Sequence, residues 1–174
     1  MDTEKLIKNK IREIPDWPKK GVNFKDITPL LQDKNAFRKI IDELAWPYLD
    51  KKIDKIVGID ARGFLLASAL AYKLKTGITI IRKKGKLPAK TISQKYSLEY
   101  ASNFIEMHCD AIKTGEKVIL VDDVLATGGT MRAAVNLVKQ LKGKILGIEF
   151  LIELTDLKGR KKLKGYRVRA LAKY

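Results

Sequence analysis

Apolar residues recur along this chain in two alternating patterns, helical spacing and short, nearly unbroken runs. Short runs of β-branched residues are typical of strands buried on both faces of a parallel sheet. Apolar residues three and four positions apart are typical of helices that pack on such a sheet. The patterns predict helices at about 3–12, 34–49, 63–74 and 130–141, strands at 56–59, 78–81, 118–121, 145–152 and about 166–171, and a short basic helix before the last strand.

The alternation of strands and helices predicts an α/β fold with a mostly parallel central sheet flanked by helices. The 174 residues suit a single domain, 1–174, with a core of ordinary size. Two segments interrupt the alternation. Residues 20–29 are expected to form an irregular loop or a short extended stretch. Residues 85 to about 103 are polar and expected to be irregular, and a connection of that length usually has a functional reason.

Composition narrows the possible functions only in part. The net charge of +16 fits nucleic-acid binding, attraction of a polyanionic substrate, or a lysine-rich solvated surface, and the even spread of lysines favours the last. Cys109 is the only cysteine, so no intrachain disulfide forms and a cytoplasmic protein is expected. No apolar run approaches the roughly 20 residues that span a bilayer. We interpret Cys109 and the single histidine, His108, as packing residues, and we expect no metal site made by the protein.

The strongest functional signal lies at residues 118–130, Val-Ile-Leu-Val-Asp-Asp-Val-Leu-Ala-Thr-Gly-Gly-Thr. Asp122 and Asp123 follow an apolar strand, at the sheet edge where α/β folds bind ligands. Their carboxylates can accept hydrogen bonds from vicinal hydroxyls, and in an extended segment they point to opposite sides. A solvated turn is the alternative interpretation.

The second half of this stretch is suited to an anion. Gly128 and Gly129 allow positive φ and a close approach of the backbone to a ligand. Thr127 and Thr130 add hydroxyl donors at the start of a helix, where free N–H groups bind anions, and Thr130 is a candidate N-cap. The stretch therefore predicts a ligand with hydroxyls and a phosphate. The sequence contains neither a Walker A loop nor the Gly-x-Gly-x-x-Gly fingerprint.

The stretch Val-Asp-Asp-Val-Leu-Ala-Thr-Gly-Gly-Thr resembles the phosphoribosyl pyrophosphate (PRPP) signature of the type I phosphoribosyltransferases, most closely of members that act on adenine. The resemblance implies the type I phosphoribosyltransferase fold, with a base-binding hood at about 1–33 and a flexible lid loop at about 84–103. It also implies that Asp122 and Asp123 hold the ribose hydroxyls. The 5′-phosphate would be wrapped by Ala126, Thr127, Gly128, Gly129 and Thr130.

Two further segments carry charges suited to a diphosphate. In Asp60-Ala61-Arg62-Gly63 an arginine stands at a helix start, which suits a diphosphate, although a salt bridge between Asp60 and Arg62 is the alternative. Four cations within residues 82–86 repel one another unless an anion neutralises them, and a solvated basic turn is the alternative. The resemblance implies that Arg62 contacts pyrophosphate. It places Arg82, Lys83 and Lys86 at a homodimer interface, within reach of pyrophosphate in the partner's site.

The resemblance also extends to the base. Residues 21–28 resemble the hood, in which Phe24 would stack on the purine while backbone groups near Asn23 and Lys25 read its edge. Core packing is the alternative for Phe24. In Tyr96-Ser97-Leu98-Glu99-Tyr100, which resembles the lid, Glu99 would donate a proton or a hydrogen bond to the base, and Tyr100 would also contact substrate.

Taken together, the resemblance implies a cytoplasmic purine salvage enzyme, a homodimer that transfers 5-phosphoribose from PRPP to adenine and gives AMP and pyrophosphate. Mg²⁺ would be bound through PRPP or pyrophosphate, without direct protein ligands. The alternatives are a phosphoribosyltransferase for hypoxanthine, guanine or xanthine, and a PRPP-sensing RNA-binding regulator on the same fold. The lid glutamate and the hood favour the enzyme, so neither a membrane nor a nucleic-acid partner is expected.

Overall fold

A seven-stranded sheet lies at the centre of the computed structural model, which describes residues 2–98 and 101–174. The strands are β1 (Arg12–Ile14), β2 (Phe24–Asp26), β3 (Lys55–Ile59), β4 (Gly77–Lys83), β5 (Thr91–Leu98), β6 (Ala101–His108), β7 (Lys117–Leu125), β8 (Lys144–Glu153) and β9 (Val168–Lys173). The α-helices are α1 (Thr3–Lys10), α2 (Thr28–Gln32), α3 (Lys34–Ala45), α4 (Gly63–Leu74) and α5 (Gly129–Gln140). Short 3₁₀ helices cover Trp46–Tyr48, Thr155–Leu157 and Gly159–Leu163.

The sheet is mostly parallel, so the predicted fold class is confirmed. Its strand order is β5-β6-β4-β3-β7-β8-β9, and the five strands from β4 to β9 in this order are parallel, while β6 and β5 are antiparallel. Buried apolar residues of α1, α3 and α4 form one core cluster, and those of α5 belong to a second cluster. None of the helices in the described part of the chain has the length and apolar character needed to cross a membrane.

Strand β7 is longer than the sequence pattern indicated. It pairs with β3 only as far as Val121, opposite Gly58, but it remains paired with β8 as far as Leu125, opposite Glu153. Asp122 and Asp123 therefore lie inside the strand, where the prediction placed them after its end. The strand was predicted from its apolar residues, and the two acids end that apolar run. The pairing with β8 nevertheless continues as far as Leu125, because backbone hydrogen bonds do not depend on side-chain polarity.

Residues 85 to about 103 were expected to be irregular, and this expectation is confirmed for residues 85–90 but wrong for residues 91–98 and 101–103, which form strands. β5 and β6 form an antiparallel hairpin whose register runs from Thr91 opposite His108 to Leu98 opposite Ala101. Ile105 and Met107 are buried in the second core cluster, and Ile92 packs against it. Polar residues alternate with these apolar residues, so the mean hydropathy of the segment is low. The alternation typical of a half-buried strand is therefore not evident from hydropathy alone.

The short extended stretch expected within residues 20–29 is confirmed as β2, and the last two residues of this segment begin α2. β1 and β2 form a separate two-stranded antiparallel sheet, in which Arg12 lies opposite Asp26. The Asp26 carboxylate accepts hydrogen bonds from the hydroxyl and N–H of Thr28 and forms an ion pair with Arg12 at 2.7 Å. These contacts, the Thr28 bonds first, lower the pKa of Asp26 to about 2.

A buried polar group ties the end of α3 to strands β8 and β9. Glu149 of β8 is fully buried, and its carboxylate accepts a hydrogen bond from the Tyr48 hydroxyl at 2.6 Å and one from Arg169 Nε at 2.9 Å. Arg169 also donates to the carbonyl oxygens of Glu43 and Leu44, near the end of α3. Burial raises the pKa of Glu149, and its two partners oppose this shift. A buried carboxylate is tolerated here because each oxygen has a donor.

Replacing Asp26 with Asn is expected to lower the melting temperature at neutral pH, because the Arg12 ion pair and charged hydrogen bonds are lost, at a cost of about 1 kcal/mol or more. Because the folded pKa is depressed, this stability is present above the ordinary pKa of 3.8 and disappears as pH falls through about 2. Thermal unfolding followed by circular dichroism between pH 6 and pH 2.5 measures it. A difference between the two proteins that stays constant over this range would contradict the assignment.

Candidate functional site

The two acids of β7 occupy different surroundings. Asp122, with Ala126 to Thr130, borders a cavity of about 120 Å³. Its Oδ1 accepts a hydrogen bond from the Asp123 N–H at 2.9 Å. A Cβ added to Gly63 would lie 2.9 Å from the same Oδ1, so glycine at this position lets the start of α4 approach the carboxylate. Asp123 forms an ion pair with Arg62, so the two acids have different nearest partners.

Burial perturbs both carboxyl groups. It raises the pKa of Asp122 well above the ordinary value, and the neighbouring charge of Asp123 adds to this effect. Burial also raises the pKa of Asp123, which is 6% exposed, but the Arg62 guanidinium opposes the shift. Two adjacent acids with raised pKa values indicate a site that favours an added positive charge or hydrogen-bond donors.

Arg62 links β7 to the N-terminal segment. Its Nε lies 2.8 Å from Asp123 Oδ2, and its Cζ lies 4.9 Å from the centre of the Phe24 ring. The ion pair does not have hydrogen-bond geometry, and Oδ2 is buried without a donor among the described residues. Asp60, the alternative partner suggested by the sequence, contacts Arg82 at 3.2 Å, so the predicted alternative of an Asp60–Arg62 salt bridge is wrong.

The loop from Ala126 to Thr130 turns directly from β7 into α5. Gly128 has φ of +74° and is the N-cap of α5, which begins at Gly129. The positive φ predicted for this Gly-Gly pair is confirmed at Gly128, whereas Thr130 lies within the first turn of the helix and is not the N-cap. The left-handed conformation of Gly128 starts the helix one residue earlier than the threonine pattern indicated.

The same loop is packed against the 3₁₀ helix Gly159–Leu163, backbone to backbone. A Cβ added to Gly128 would lie 2.4 Å from the Gly159 carbonyl oxygen, and one added to Gly159 would lie 2.1 Å from the Ala126 carbonyl oxygen. Real Cβ atoms do not approach backbone oxygens this closely. The two glycines therefore set the position of the loop together, although they are far apart in the sequence.

The basic segment after β4 is held in place by two acids. Arg82 Nε contacts Asp60 Oδ2 at 3.2 Å, and Arg82 Nη1 donates to the Lys86 carbonyl at 3.3 Å. The N–H groups of Lys86 and Leu87 both donate to one oxygen of the buried Glu106 carboxylate, at 3.1 Å each. Glu106 lies opposite Arg82 in the β4–β6 register, so the turn is fixed while the side chains of Lys83 and Lys86 stay exposed.

The N-terminal segment brings Phe24 to the same region. The Phe24 ring contacts Trp17 edge-on, with centroids 4.4 Å apart, and faces the Arg62 guanidinium. On β1, Glu13 accepts a hydrogen bond from the Asn23 side chain at 2.8 Å and pairs with Lys25 at 2.6 Å. Phe24 is half-buried, next to the β3–α4 turn, so its surroundings favour a site residue over a core residue.

The structure thus brings Phe24, Arg62, Asp122, Asp123 and the loop 126–130 together near the carboxyl ends of β3 and β7. Glu99 and Tyr100 lie outside the described residues. Sequence analysis missed the supporting partners, which are Glu13, Asp60 as the partner of Arg82, Glu106 and Gly159. A signal existed for Glu106, a lone acid between the apolar residues Ile105 and Met107. The others carry no pattern that distinguishes them from surface acids or turn glycines.

Comparisons with known proteins agree with this geometry. Residues 29–171 match the family model described as "Phosphoribosyl transferase domain". The chain is 57% identical to the adenine phosphoribosyltransferase of Halothermothrix orenii, over 93% of this chain and 95% of that protein. The crystal structure of the enzyme of that name from Thermoanaerobacter pseudethanolicus has a TM-score of 0.94 at 51% identity, covering 98% and 99% of the two chains. The Saccharomyces cerevisiae enzyme, solved with a bisphosphate imino-altritol and adenine, has a TM-score of 0.92 at 39% identity, covering 97% and 98%.

Replacing Gly159 with Ala is expected to displace the loop 126–130 and weaken phosphate binding, because the added Cβ would lie 2.1 Å from the Ala126 carbonyl oxygen. Titration calorimetry with ribose 5-phosphate measures the effect, which we expect to be about tenfold or more in Kd, the equivalent of about 1.4 kcal/mol. Gly77→Ala is the matched control, since a Cβ there would meet only ordinary contacts at 3.5 Å. Equal Kd values for the two variants would show that Gly159 does not position the loop.

Proposed function

Because the chain belongs to the adenine phosphoribosyltransferase family, we propose that it transfers 5-phosphoribose from PRPP to adenine, giving AMP and pyrophosphate in purine salvage. The observation that carries the proposal is the placement of Asp122 beside the loop 126–130, with Asp123 and Arg62 adjacent. This arrangement offers hydroxyl acceptors between a phosphate cradle and a cation, as PRPP requires. The adenine bound to the yeast relative supports the choice of base.

In this reaction the bond from the ribose C1 to the diphosphate oxygen breaks, and its electron pair leaves with the diphosphate. A ring nitrogen of adenine forms the new bond to C1 with its lone pair, and the base loses one N–H proton to solvent. Because C1 develops positive charge, nearby fixed carboxylates stabilise it. Asp122 and Asp123 are proposed to accept hydrogen bonds from the ribose hydroxyls. Phe24 would stack on the base and backbone groups near Asn23 and Lys25 would read its edge, while Glu99 would hydrogen-bond to it or donate a proton.

The Arg62–Asp123 pair suggests how the diphosphate is received. The guanidinium is already held beside the site at 2.8 Å from Asp123 Oδ2. An incoming diphosphate competes for Arg62 and leaves that oxygen free to accept a ribose hydroxyl. The ion pair would therefore be exchanged for two substrate contacts, so that Asp123 does not remain buried without a partner.

Mg²⁺ is proposed to enter with the substrate, bound through the oxygens of PRPP or pyrophosphate. When bound, it offsets the negative charge of the diphosphate. Waters and phosphate oxygens can complete its coordination, so the proposal needs no ligand from the protein. Among the described residues, no group of three or more His, Cys, Asp or Glu is arranged to hold a metal ion. The single cysteine also supports a cytoplasmic location.

Parallel assays of the wild-type protein with PRPP and adenine, hypoxanthine, guanine or xanthine test the base, and addition of EDTA tests the metal. AMP formation from adenine with little product from the other three bases is the expected result. Preference for another base would replace adenine in the proposal. Absence of product from all four, with retention of RNA at physiological salt, would favour the regulator.

Asp123→Asn is expected to lower kcat/KM for AMP formation by roughly ten- to a hundredfold, because it removes the charge beside C1 and the partner of Arg62. Steady-state assays with both substrates measure it. Asp110→Asn, at an exposed acid on the β6–β7 connection, is the matched control. Wild-type-like turnover in Asp123→Asn with a normal melting temperature would contradict the proposed role.

We further propose a homodimer formed through the outer face of α4 and the adjacent part of β4. Leu65 is 50% exposed and Tyr72 is 89% exposed, and their separation of seven positions places both on one helical face. Ile78 on β4 is also exposed, and the β4–β6 register comprises only Arg82 and Lys83. Exposed apolar side chains grouped in this way mark an interface. In such a dimer, the family resemblance implies that Arg82, Lys83 and Lys86 would lie within reach of the diphosphate in the partner's site.

Tyr72→Glu combined with Leu65→Glu is expected to convert the dimer into a monomer, because two charges would be buried at the interface. Sedimentation equilibrium measures the molar mass. Leu157→Glu, which changes an exposed apolar residue outside this face, is the control and should remain dimeric. A wild-type monomer at assay concentration, or a dimeric double variant, would exclude this interface.

A further inference from the structure

Tyr174 follows β9 and is held firmly by its backbone. Its N–H donates to the Glu153 carbonyl at 2.9 Å, and its carbonyl oxygen accepts hydrogen bonds from the Thr155 N–H at 2.9 Å and the Thr155 hydroxyl at 2.7 Å. The ring packs against the core cluster that contains α1. These contacts give the ring a defined position beside the hood.

The ring of Tyr174 contacts Lys25 of β2. The Lys25 ammonium lies 4.3 Å from the ring centroid and 2.6 Å from Glu13 Oε1, and the side chain is only 9% exposed. A lysine this deeply buried needs compensation for lost hydration. Glu13 supplies a charge, and the electron-rich face of the ring supplies a second favourable contact.

Lys25 lies next to Phe24 on the same strand. Because side chains alternate along a strand, Lys25 holds one side of β2 while Phe24 projects from the other, towards Arg62. Glu13 also accepts a hydrogen bond from Asn23, so the contacts around Lys25 extend across the base-binding part of the hood. A change in the position of Lys25 is therefore passed directly to the adjacent Phe24.

We propose that Tyr174 is a positioning residue for the hood, whose ring holds the Lys25 ammonium and thereby sets Phe24 in place to bind the base. The inference rests on the proposed function, since it assigns the base to Phe24. The aromatic ring of Tyr174 makes the contact that positions Lys25, and the hydroxyl group has no part in it. The Tyr174 hydroxyl oxygen is buried and has no hydrogen-bond partner among the described residues.

Tyr174→Leu is expected to raise the KM for adenine by roughly three- to tenfold, the range of a partly desolvated cation–π contact, and to leave the KM for PRPP unchanged. Tyr174→Phe keeps the ring and should bind adenine as the wild type does. Lys25→Met should raise the adenine KM by at least this factor, because it removes the Glu13 ion pair as well as the ring contact. The double variant Lys25→Met/Tyr174→Leu should have the adenine KM of Lys25→Met alone, because the ring contact is already absent in Lys25→Met.

Tyr166→Leu is the matched control, since Tyr166 precedes β9, packs against the other core cluster and lies away from the hood. It should lower the melting temperature without altering the adenine KM. The proposal is overturned if Tyr174→Leu raises both KM values equally, if it behaves like Tyr166→Leu, or if Tyr174→Phe has the same defect. Should Tyr174→Leu fail to fold, Lys25→Met and Tyr174→Phe still separate the two interpretations.

A measurement without turnover separates this inference from the proposed function. Trp17 touches Phe24, so its fluorescence reports on the hood, and Trp46→Phe removes the exposed second tryptophan. In that background, Tyr174→Leu is expected to increase acrylamide quenching of Trp17, and Tyr174→Phe is not. Unchanged quenching in both overturns the positioning role. Increased quenching in a protein that forms no AMP would keep the positioning role and refute the proposed function.

Discussion

The site depends on the difference in length between β7 and β3. As far as Val121, β7 is paired on both sides, and beyond that point the ladder with β8 alone continues to Leu125. The two acids thus lie within a strand that is paired on one side only, next to the β3–α4 turn. Asp122 borders the loop 126–130, and Asp123 pairs with Arg62. Groups fixed on a rigid strand lose little conformational entropy when a ligand binds.

Much of the fold follows from local sequence patterns, which explains why it could be predicted. The bounds of α4, Gly63–Leu74, match the prediction because its apolar spacing and initial glycine are unambiguous. The pattern failed where pairing with a distant strand decides the outcome. Polar residues conceal the β5–β6 hairpin, and two acids conceal the true end of β7. In both cases the stabilising hydrogen bonds come from backbone groups, whose partners the local sequence does not specify.

The candidate site was predictable to the extent that its residues form contiguous motifs. Asp122, Asp123 and the loop 126–130 lie in one stretch, and each residue type is suited to its part of the ligand. Their supports are different. Glu106 fixes the turn that carries Lys86, and Glu13 holds Lys25, across strand pairs that only the folded structure creates. Such partners require knowledge of register, because any of the chain's 20 acidic residues is an equally plausible choice beforehand.

The contact between Gly128 and Gly159 limits how the loop 126–130 could be moved into another protein. The loop is recognisable as a short continuous motif, but its shape is completed by a backbone segment about thirty residues later. Grafting residues 126–130 alone onto another α/β sheet would leave the outer side of the loop unsupported. The smallest portable unit is therefore discontinuous, and a designed protein would have to reproduce two crossing segments, each with a glycine at the point of contact.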